Sequence, residues 1–263
     1  MKIVVCIKQV PDAKNVRIDP HTHTLVRQGV ESIINPFDLF AVEAALRLKD
    51  RHGAHVTVMT MGPPQAEEAL RDVLSRGVDD AVLLSDRAFA GADTWATATA
   101  LAAAIRKLGE VSLIFCGKQA IDGDTAQVGP ELATLLDIPY ATFVKQVELE
   151  DEGHLRVVRK TDEGTEVWRL PLPALVTVLR DVGDPRLPSV KHKMRAKKAA
   201  VPVWSAADVG LPEDRVGLKG SFTQVVRVFS PPKRADRWML EGPVADQVEK
   251  LYQYLKEAKV PGL

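Results

Sequence analysis

Cysteine is scarce in this sequence, and neither sign of charge is in excess. Cys6 and Cys116 are its two cysteines, each inside an apolar run, which predicts small buried side chains rather than a disulfide or a metal site. Lysine and arginine total 35 against 35 aspartates and glutamates, so the positive field of a nucleic-acid binder is missing and no nucleic-acid partner is expected. No stretch approaches the ~20 apolar residues that span a bilayer, and direct membrane insertion is not expected. The strand-like Met1-Lys2-Ile3-Val4-Val5-Cys6-Ile7 opens the chain without a basic leader or cleavage site, and the simplest expectation is a cytoplasmic protein. The Rossmann glycine fingerprint and the P-loop are both absent.

What remains is ordinary globular material. With 263 residues, 46% hydrophobic and 27% charged, the chain can bury a real core and fits one domain with appendages or two small ones. Apolar runs recur at residues 3–7, 56–61, 81–84 and 111–116, each continuous rather than alternating, as expected of strands covered on both faces. Between them, residues 37–51 place Phe37, Phe40, Ala41, Ala44, Ala45 and Leu48 on one stripe, and residues 64–76 and 93–108 repeat the helical spacing. This alternation predicts an α/β fold with a parallel sheet and right-handed crossovers, whose ligands bind beyond the carboxyl ends of the strands. The informative loops are those after Ile7, Met61 and Cys116.

From Tyr140 the pattern changes. Residues 142–149, 155–160 and 167–170, separated by Glu152-Gly153 and Glu163-Gly164, predict antiparallel strands joined by tight turns. A further strand is expected at 176–179, after which Pro185 and Pro188 lead into a basic run, residues 191–198, with five cationic side chains in eight. Regular core structure is expected to end there. The sequence thus divides into a domain over 1–190 and, over 191–263, a basic loop and an extended arm. That arm carries an amphipathic helix at 243–258 and exposes Trp204 and Trp238, so it needs another surface to lie on.

Chemistry concentrates after the fourth parallel strand, in Gly117-Lys118-Gln119-Ala120-Ile121-Asp122-Gly123-Asp124-Thr125-Ala126-Gln127-Val128-Gly129-Pro130, followed by a helix at 131–136. Small residues bring backbone close to a ligand, and the N–H groups that open a helix suit a phosphate. A capped turn, with Asp124 or Thr125 satisfying the first amides, explains the same residues. Two other segments meet this loop at the sheet edge. One is Cys6-Ile7-Lys8-Gln9-Val10-Pro11; the other is Asn35-Pro36-Phe37-Asp38, where Asn35 or Asp38 either bonds a base or ribose or caps the helix that Pro36 opens. In Met61-Gly62-Pro63, Gly62 admits a flat ring or simply makes a turn.

Taken together these segments resemble the electron-transferring flavoprotein β family over nearly the whole chain. Asn35-Pro36-Phe37, Gly117-Lys118-Gln119-Ala120-Ile121-Asp122 and the stretch from Val157 to Thr177, containing Val167-Trp168-Arg169-Leu170-Pro171-Leu172-Pro173-Ala174-Leu175-Val176, carry the resemblance. It implies a parallel sheet of the adenine-nucleotide-binding (HUP-like) type with an antiparallel extension and an extended C-terminal arm. It also implies nucleotide contacts at Cys6, Asn35, Pro36, Phe37, Asp38, Met61, Asp122, Gly123, Asp124, Thr125, Ala126, Gln127, Val128, Gly129, Pro130 and Ala133. An ATP-using amide or thiolation enzyme on a similar sheet would carry a Ser-Gly-Gly loop where Lys8-Gln9-Val10-Pro11 stands. A free-standing adenine-nucleotide sensor would lack both the 157–177 stretch and the long arm.

Ordinary members of this family hold a structural AMP in the β subunit, whereas electron-bifurcating members hold a second FAD there that NADH reduces. The small residues of Gly123-Asp124-Thr125-Ala126-Gln127-Val128-Gly129 resemble the bifurcating group, and Asn35-Pro36-Phe37-Asp38 points the same way. The resemblance therefore implies FAD, an obligate α-subunit partner, and NADH oxidation only in that complex. Electrons would go to the α-subunit flavin, and on to an acyl-CoA dehydrogenase or quinone reductase, and separately to ferredoxin or flavodoxin. The alternative is a single-electron carrier with AMP. No protein nucleophile or general acid is required, and Lys8 and Lys118 are candidates for stabilising an anionic flavin. In this family the basic run matches a recognition loop, with Pro188 and Met194 as apolar anchors and Lys191, Lys197 and Lys198 as steering charges.

Overall fold

The structure is a computed structural model that describes residues 1–12, 17–18, 25–26, 32–226 and 239–260. In chain order, β1 (Lys2–Cys6), β2 (Gln9–Pro11), β3 (Arg17–Ile18), β4 (Leu25–Val26) and β5 (Ser32–Ile34) precede α1 (Pro36–His52). Then come β6 (His55–Met61), α2 (Glu67–Ser75), β7 (Asp80–Leu84), α3 (Thr94–Leu108), β8 (Leu113–Gly117) and α4 (Val128–Leu136). β9 (Tyr140–Asp151), β10 (His154–Lys160), β11 (Thr165–Pro171) and β12 (Ala174–Val178) follow, before α5 (Val190–Lys198), β13 (Val203–Trp204), α6 (Gly217–Gly220) and α7 (Val244–Glu257).

One nine-stranded sheet, ordered β11-β10-β9-β12-β8-β1-β6-β7-β13, carries the fold. All neighbours pair in parallel except β9–β10 and β10–β11, which form the antiparallel extension. The parallel strands read as continuous apolar runs because both faces are covered. α1 and α2 bury Ala41, Leu46, Leu70 and Val73 against one face, and α3 and α4 bury Ala98, Leu101, Ile105 and Leu132 against the other. The chain winds from β1 outward to β7 and then crosses back to β8 on the other side of β1. That reversal leaves the carboxyl ends of β1 and β8 as the topological switch point, where open α/β sheets take their ligands.

Helix ends follow local chemistry. Pro36 opens α1, where its missing N–H costs no hydrogen bond, and Gly53 closes it in a left-handed conformation with its N–H 2.8 Å from the Lys49 carbonyl. Asp93 caps α3 by accepting from the Ala96 N–H at 2.9 Å. The helix expected at 64–76 divides into a 3-10 turn, Pro64–Ala66, and α2, because Pro63 and Pro64 remove two N–H groups at its start.

The basic run differs from the loop expected of it. Residues 190–198 form α5, whose first turn is capped by the Ser189 hydroxyl accepting from the His192 N–H at 3.1 Å. Nor does core structure end before this run. β13 adds to the open edge of β7, with the Leu83 N–H donating to the Pro202 carbonyl and the Ser85 N–H to the Trp204 carbonyl, both at 3.0 Å. An edge strand otherwise presents unpaired backbone, and β13 satisfies it. Trp204 is half-buried rather than exposed, with the Lys107 ammonium 4.8 Å from its ring centre; Trp238 lies outside the described residues. Met1–Val226 forms one compact unit and Arg227–Leu263 a second, in which α7 exposes Val248, Leu251 and Tyr252. Among the described residues, no helix is long and apolar enough to cross a membrane.

Because Trp204 both packs on the second core and completes the β7 edge, Trp204→Ala is expected to lower the unfolding free energy by about 2 kcal/mol. Denaturant titration would register this, and hydrogen exchange should quicken selectively at the Leu83 and Ser85 amides.

Candidate functional site

Two loops, after β1 and after β8, meet at the switch point, and Asn35 with the first turn of α1 ties them together. Gly117 ends β8 directly beneath that turn: a Cβ there would lie 2.6 Å from the Phe37 carbonyl carbon and 2.8 Å from the Asp38 nitrogen, and would also strike the Asp38 carboxylate. Only glycine permits this approach. The Asp38 carboxylate is buried and accepts from the Lys8 N–H at 2.7 Å, with further donors in Gly117 N–H and the Asn35 side chain. Asn35 is fully buried; its Nδ2 donates to the Gln119 carbonyl at 2.8 Å and its Oδ1 accepts from the Ile121 N–H at 3.1 Å. Its own N–H donates to the Lys8 carbonyl at 2.8 Å. Burial pushes the Asp38 carboxyl up to about 7, against the opposing pull of those donors.

Below this knot, Cys6 and Cys116 stand in register on β1 and β8, both buried and free. The hydrogen bond with Cys6, and then burial, push the Cys116 thiol well above its usual value, which makes it an inert packing group. Lys8 is tied to Asp122 at 2.7 Å, and the Lys118 ammonium lies 5.4 Å from the Phe37 ring centre. Lys8 and Lys118, the candidates for stabilising an anionic flavin, both have partners in the chain.

The loop from Lys118 to Gln127 leads into α4, which begins at Val128, earlier than the expected 131. Among the described residues no side chain caps its first turn, so neither Asp124 nor Thr125 acts as the cap. The Asp124 carboxylate instead takes the Gln119 amide, and its N–H donates to the Ala120 carbonyl at 2.8 Å. Asp124 and Ala126 hold left-handed backbone, φ 54° and 56°, which turns the loop sharply around Gly123. Asp122, Gly123, Asp124, Thr125 and Gln127 are exposed, and a Cβ on Gly123 would meet no atom within 4 Å. Gly129 is the opposite case, since a Cβ there would lie 2.6 Å from Thr177 Cγ2, so the first turn of α4 sits hard against β12. Ala133, one turn on, is fully buried, and Val128 and Pro130 are half-buried.

These features fit a phosphate-bearing ligand. An uncapped first turn offers N–H groups and the positive end of a helix dipole to a phosphate, and the open side of Gly123 lets a ligand approach the backbone. Beside the cradle, Glu131 adds an acceptor the sequence did not single out: Oε1 takes the Thr94 hydroxyl at 3.0 Å, while Oε2 is buried without a partner among the described residues. Burial raises the Glu131 carboxyl. Of the remaining expected residues, Met61 ends β6 half-exposed on the far side of β1, and Gly62 turns tightly, its would-be Cβ 3.0 Å from that of Ala66. Pro36 and Phe37 line an apolar hollow of about 410 Å³ with Leu39, Phe40, Arg180, Asp184 and Pro185, a lining that includes no residue of the 122–127 loop.

On α5, Lys191, Met194, Lys197 and Lys198 are exposed, and Pro188, before the helix, is half-buried. The structure adds two apolar residues that sequence reasoning passed over, Leu187 at 85% exposure and Val190 at 77%, beside Met194 at 63%. Val190 and Met194 lie one turn apart on α5, and Leu187 precedes the helix; treating the run as a loop hid the Val190–Met194 spacing.

The raised Asp38 carboxyl has a defined consequence for stability. Between its ordinary 3.8 and about 7 the unfolded chain has released the proton and the folded chain retains it, so stability falls as pH rises through this window and then levels off. Asp38→Asn is expected to flatten that component. Urea unfolding of both proteins at about pH 5 and about pH 8 measures the difference; an unchanged slope would mean that Asp38 titrates normally.

Comparison with known proteins agrees with this architecture. The sequence pattern of the electron transfer flavoprotein domain matches residues 22–209. The chain is 48% identical over 262 residues to the caffeyl-CoA reductase-Etf complex subunit CarD of Acetobacterium woodii, covering 99% of this chain and 100% of that one. It is 50% identical over 245 residues to the protein FixA of Azorhizobium caulinodans, covering 90% and 87%. With the electron transfer flavoprotein subunit beta of Thermoanaerobacterium thermosaccharolyticum it shares 47% over 261 residues, covering 99% and 100%. A chain with this sheet, this switch-point cradle and end-to-end likeness to such subunits belongs to the electron transfer flavoprotein β-subunit family.

Proposed function

We propose that this chain is the β subunit of a heterodimeric electron transfer flavoprotein and holds FAD at the carboxyl edge of β1 and β8. The observation that carries this reading is the cradle itself, with an uncapped α4 first turn, open space at Gly123, and Gly129 pressed against Thr177. The small residues from Gly123 to Gly129 support the bifurcating form, and the likeness to a subunit named for a caffeyl-CoA reductase-Etf complex supports work within a larger complex. When bound, FAD supplies hydride acceptance from NADH and release of electrons singly, toward the α-subunit flavin and a dehydrogenase or quinone reductase on one branch and ferredoxin or flavodoxin on the other.

The chain's own work is binding and placement. The first-turn amides of α4 hold a phosphate, and Asn35 and Asp38 hold the loop that carries them, acting through Gln119, Ile121, Lys8 and Gly117. α5 and the residues leading into it offer a dehydrogenase an apolar patch, Leu187, Val190 and Met194, among steering charges at Lys191, Lys197 and Lys198. The exposed apolar side chains of α7 suit an arm laid on the α subunit.

The decisive measurement is the nucleotide released by denaturing the αβ complex. Two FAD per heterodimer and no AMP is the expected result; one FAD with one AMP would make the protein a single-electron carrier and remove the hydride-accepting role. Reversing charge at Lys197→Glu and Lys198→Glu should slow electron delivery to an acyl-CoA dehydrogenase about tenfold at low salt while leaving NADH reduction intact. Unchanged delivery would remove α5 as the docking surface.

A further inference from the structure

We infer that Glu43 is the positioning residue of the docking segment, fixing through Arg186 the direction in which Leu187, Val190 and Met194 are presented. The inference rests on the reading of α5 as the docking surface. Glu43 lies in the middle of α1 at 5% exposure. Its Oε2 accepts from the Arg186 backbone N–H at 3.1 Å and from Arg186 Nε at 2.9 Å; its Oε1 accepts from Arg186 Nη2 at 3.2 Å and from Arg47 Nε at 3.0 Å. Burial alone would raise this carboxyl, but the donors outweigh it and hold Glu43 below its usual range, so it remains charged in the interior.

A buried ion pair is weak evidence of stabilisation, because desolvation offsets most of the Coulombic gain. Here the geometry points to placement. Asp50, at the surface and 2.8 Å from Arg186 Nη2, would suffice to neutralise the guanidinium. Glu43 does more, since it takes the main-chain N–H of residue 186. The Arg186 carbonyl is taken from the other side by Nη1 of Arg76, the residue that ends α2, at 2.9 Å, and Arg47 Nη1 holds the Val182 carbonyl at 2.7 Å. Both backbone groups of residue 186 are thereby fixed to helices of the core, immediately before the chain emerges at Leu187. At the other end of α5, Arg71 Nη1 holds the Ala196 carbonyl at 2.7 Å and Arg195 holds the Val78 carbonyl. The docking patch is clamped at entry and exit while its apolar side chains stay exposed. Anchors held in place in advance lose less entropy when a partner binds, so loosening the entry clamp should weaken docking without touching the nucleotide cradle.

The test uses the αβ complex with Glu43→Gln, which keeps the shape and removes the charge, and Arg186→Lys, which keeps the charge and loses the fork. Four quantities are read: KM and kcat for electron delivery to an acyl-CoA dehydrogenase, flavin content, and hydrogen exchange at Arg186 and residues 192–199. Both variants are expected to raise KM about tenfold with kcat and flavin content within about twofold, and to speed exchange over that segment but not in β1 or β8. If Glu43→Gln does not fold, Arg186→Lys alone decides. Unchanged KM in a folded variant overturns the inference. Should the Lys197→Glu, Lys198→Glu protein raise KM while the clamp variants do not, docking by α5 stands and positioning by Glu43 is wrong. If neither set alters KM, the docking reading fails and this inference with it.

Discussion

The carboxylate of Asp38 and the amide of Asn35 form a buried polar knot on which the carboxyl edge of the sheet depends. Polar groups taken from water must find partners, and at this place the partners are the backbone groups of two loops, Lys8 after β1 and Gln119 and Ile121 after β8. Loops at a switch point have no strand neighbour to fix them, so side chains from α1 take over what a ladder does elsewhere. The close seat of Asp38 over Gly117 makes the knot intolerant of any added carbon. A nucleotide cradle built from mobile backbone would lose affinity to ordering entropy; one tied at its base loses less.

α1 carries a second set of ties farther along its length. Glu43 and Arg47 grip the segment from Val182 to Arg186, and Lys49 near the helix end reaches the Gly77 carbonyl at 2.8 Å. One helix therefore references both the switch-point edge, proposed to hold the cofactor, and α5, proposed to face a partner, to the same core. For an electron carrier this matters physically, because transfer requires the donor and the docked acceptor to hold a reproducible separation, and a helix seated on a close-packed core supplies a stiff ruler.

Much of this was legible in the residues. Continuous apolar runs gave the parallel strands, and the Glu152-Gly153 and Glu163-Gly164 turns gave the meander, since period and turn chemistry are local properties. Which segments meet at the edge followed from strand–helix alternation alone. What each side chain does there did not, because the partners of Asn35 are main-chain groups of Gln119 and Ile121, remote in sequence. α5 was hidden by its own charge, a run of like-charged residues after a proline whose helix is set by the Ser189 cap and by Ala196 packing on the core. β13 is a two-residue strand whose sole reason is the unpaired edge of β7, and no local pattern announces an edge.

The position of β12 bears on the order in which the protein can be built. It lies between β9 and β8 and is the one strand joined to both. Until it is made, a growing polypeptide holds two separate sheets, β8-β1-β6-β7 and β9-β10-β11, with no ladder between them. β12 also brings Thr177 under Gly129 and the Val178 carbonyl to the Lys118 N–H, so the floor of the cradle is incomplete before residue 178 emerges. If a nucleotide binds as proposed, it can be captured during synthesis only after both sheets exist and have been zipped together, which would make loading a late event and leave the β8 and β9 edges exposed until then.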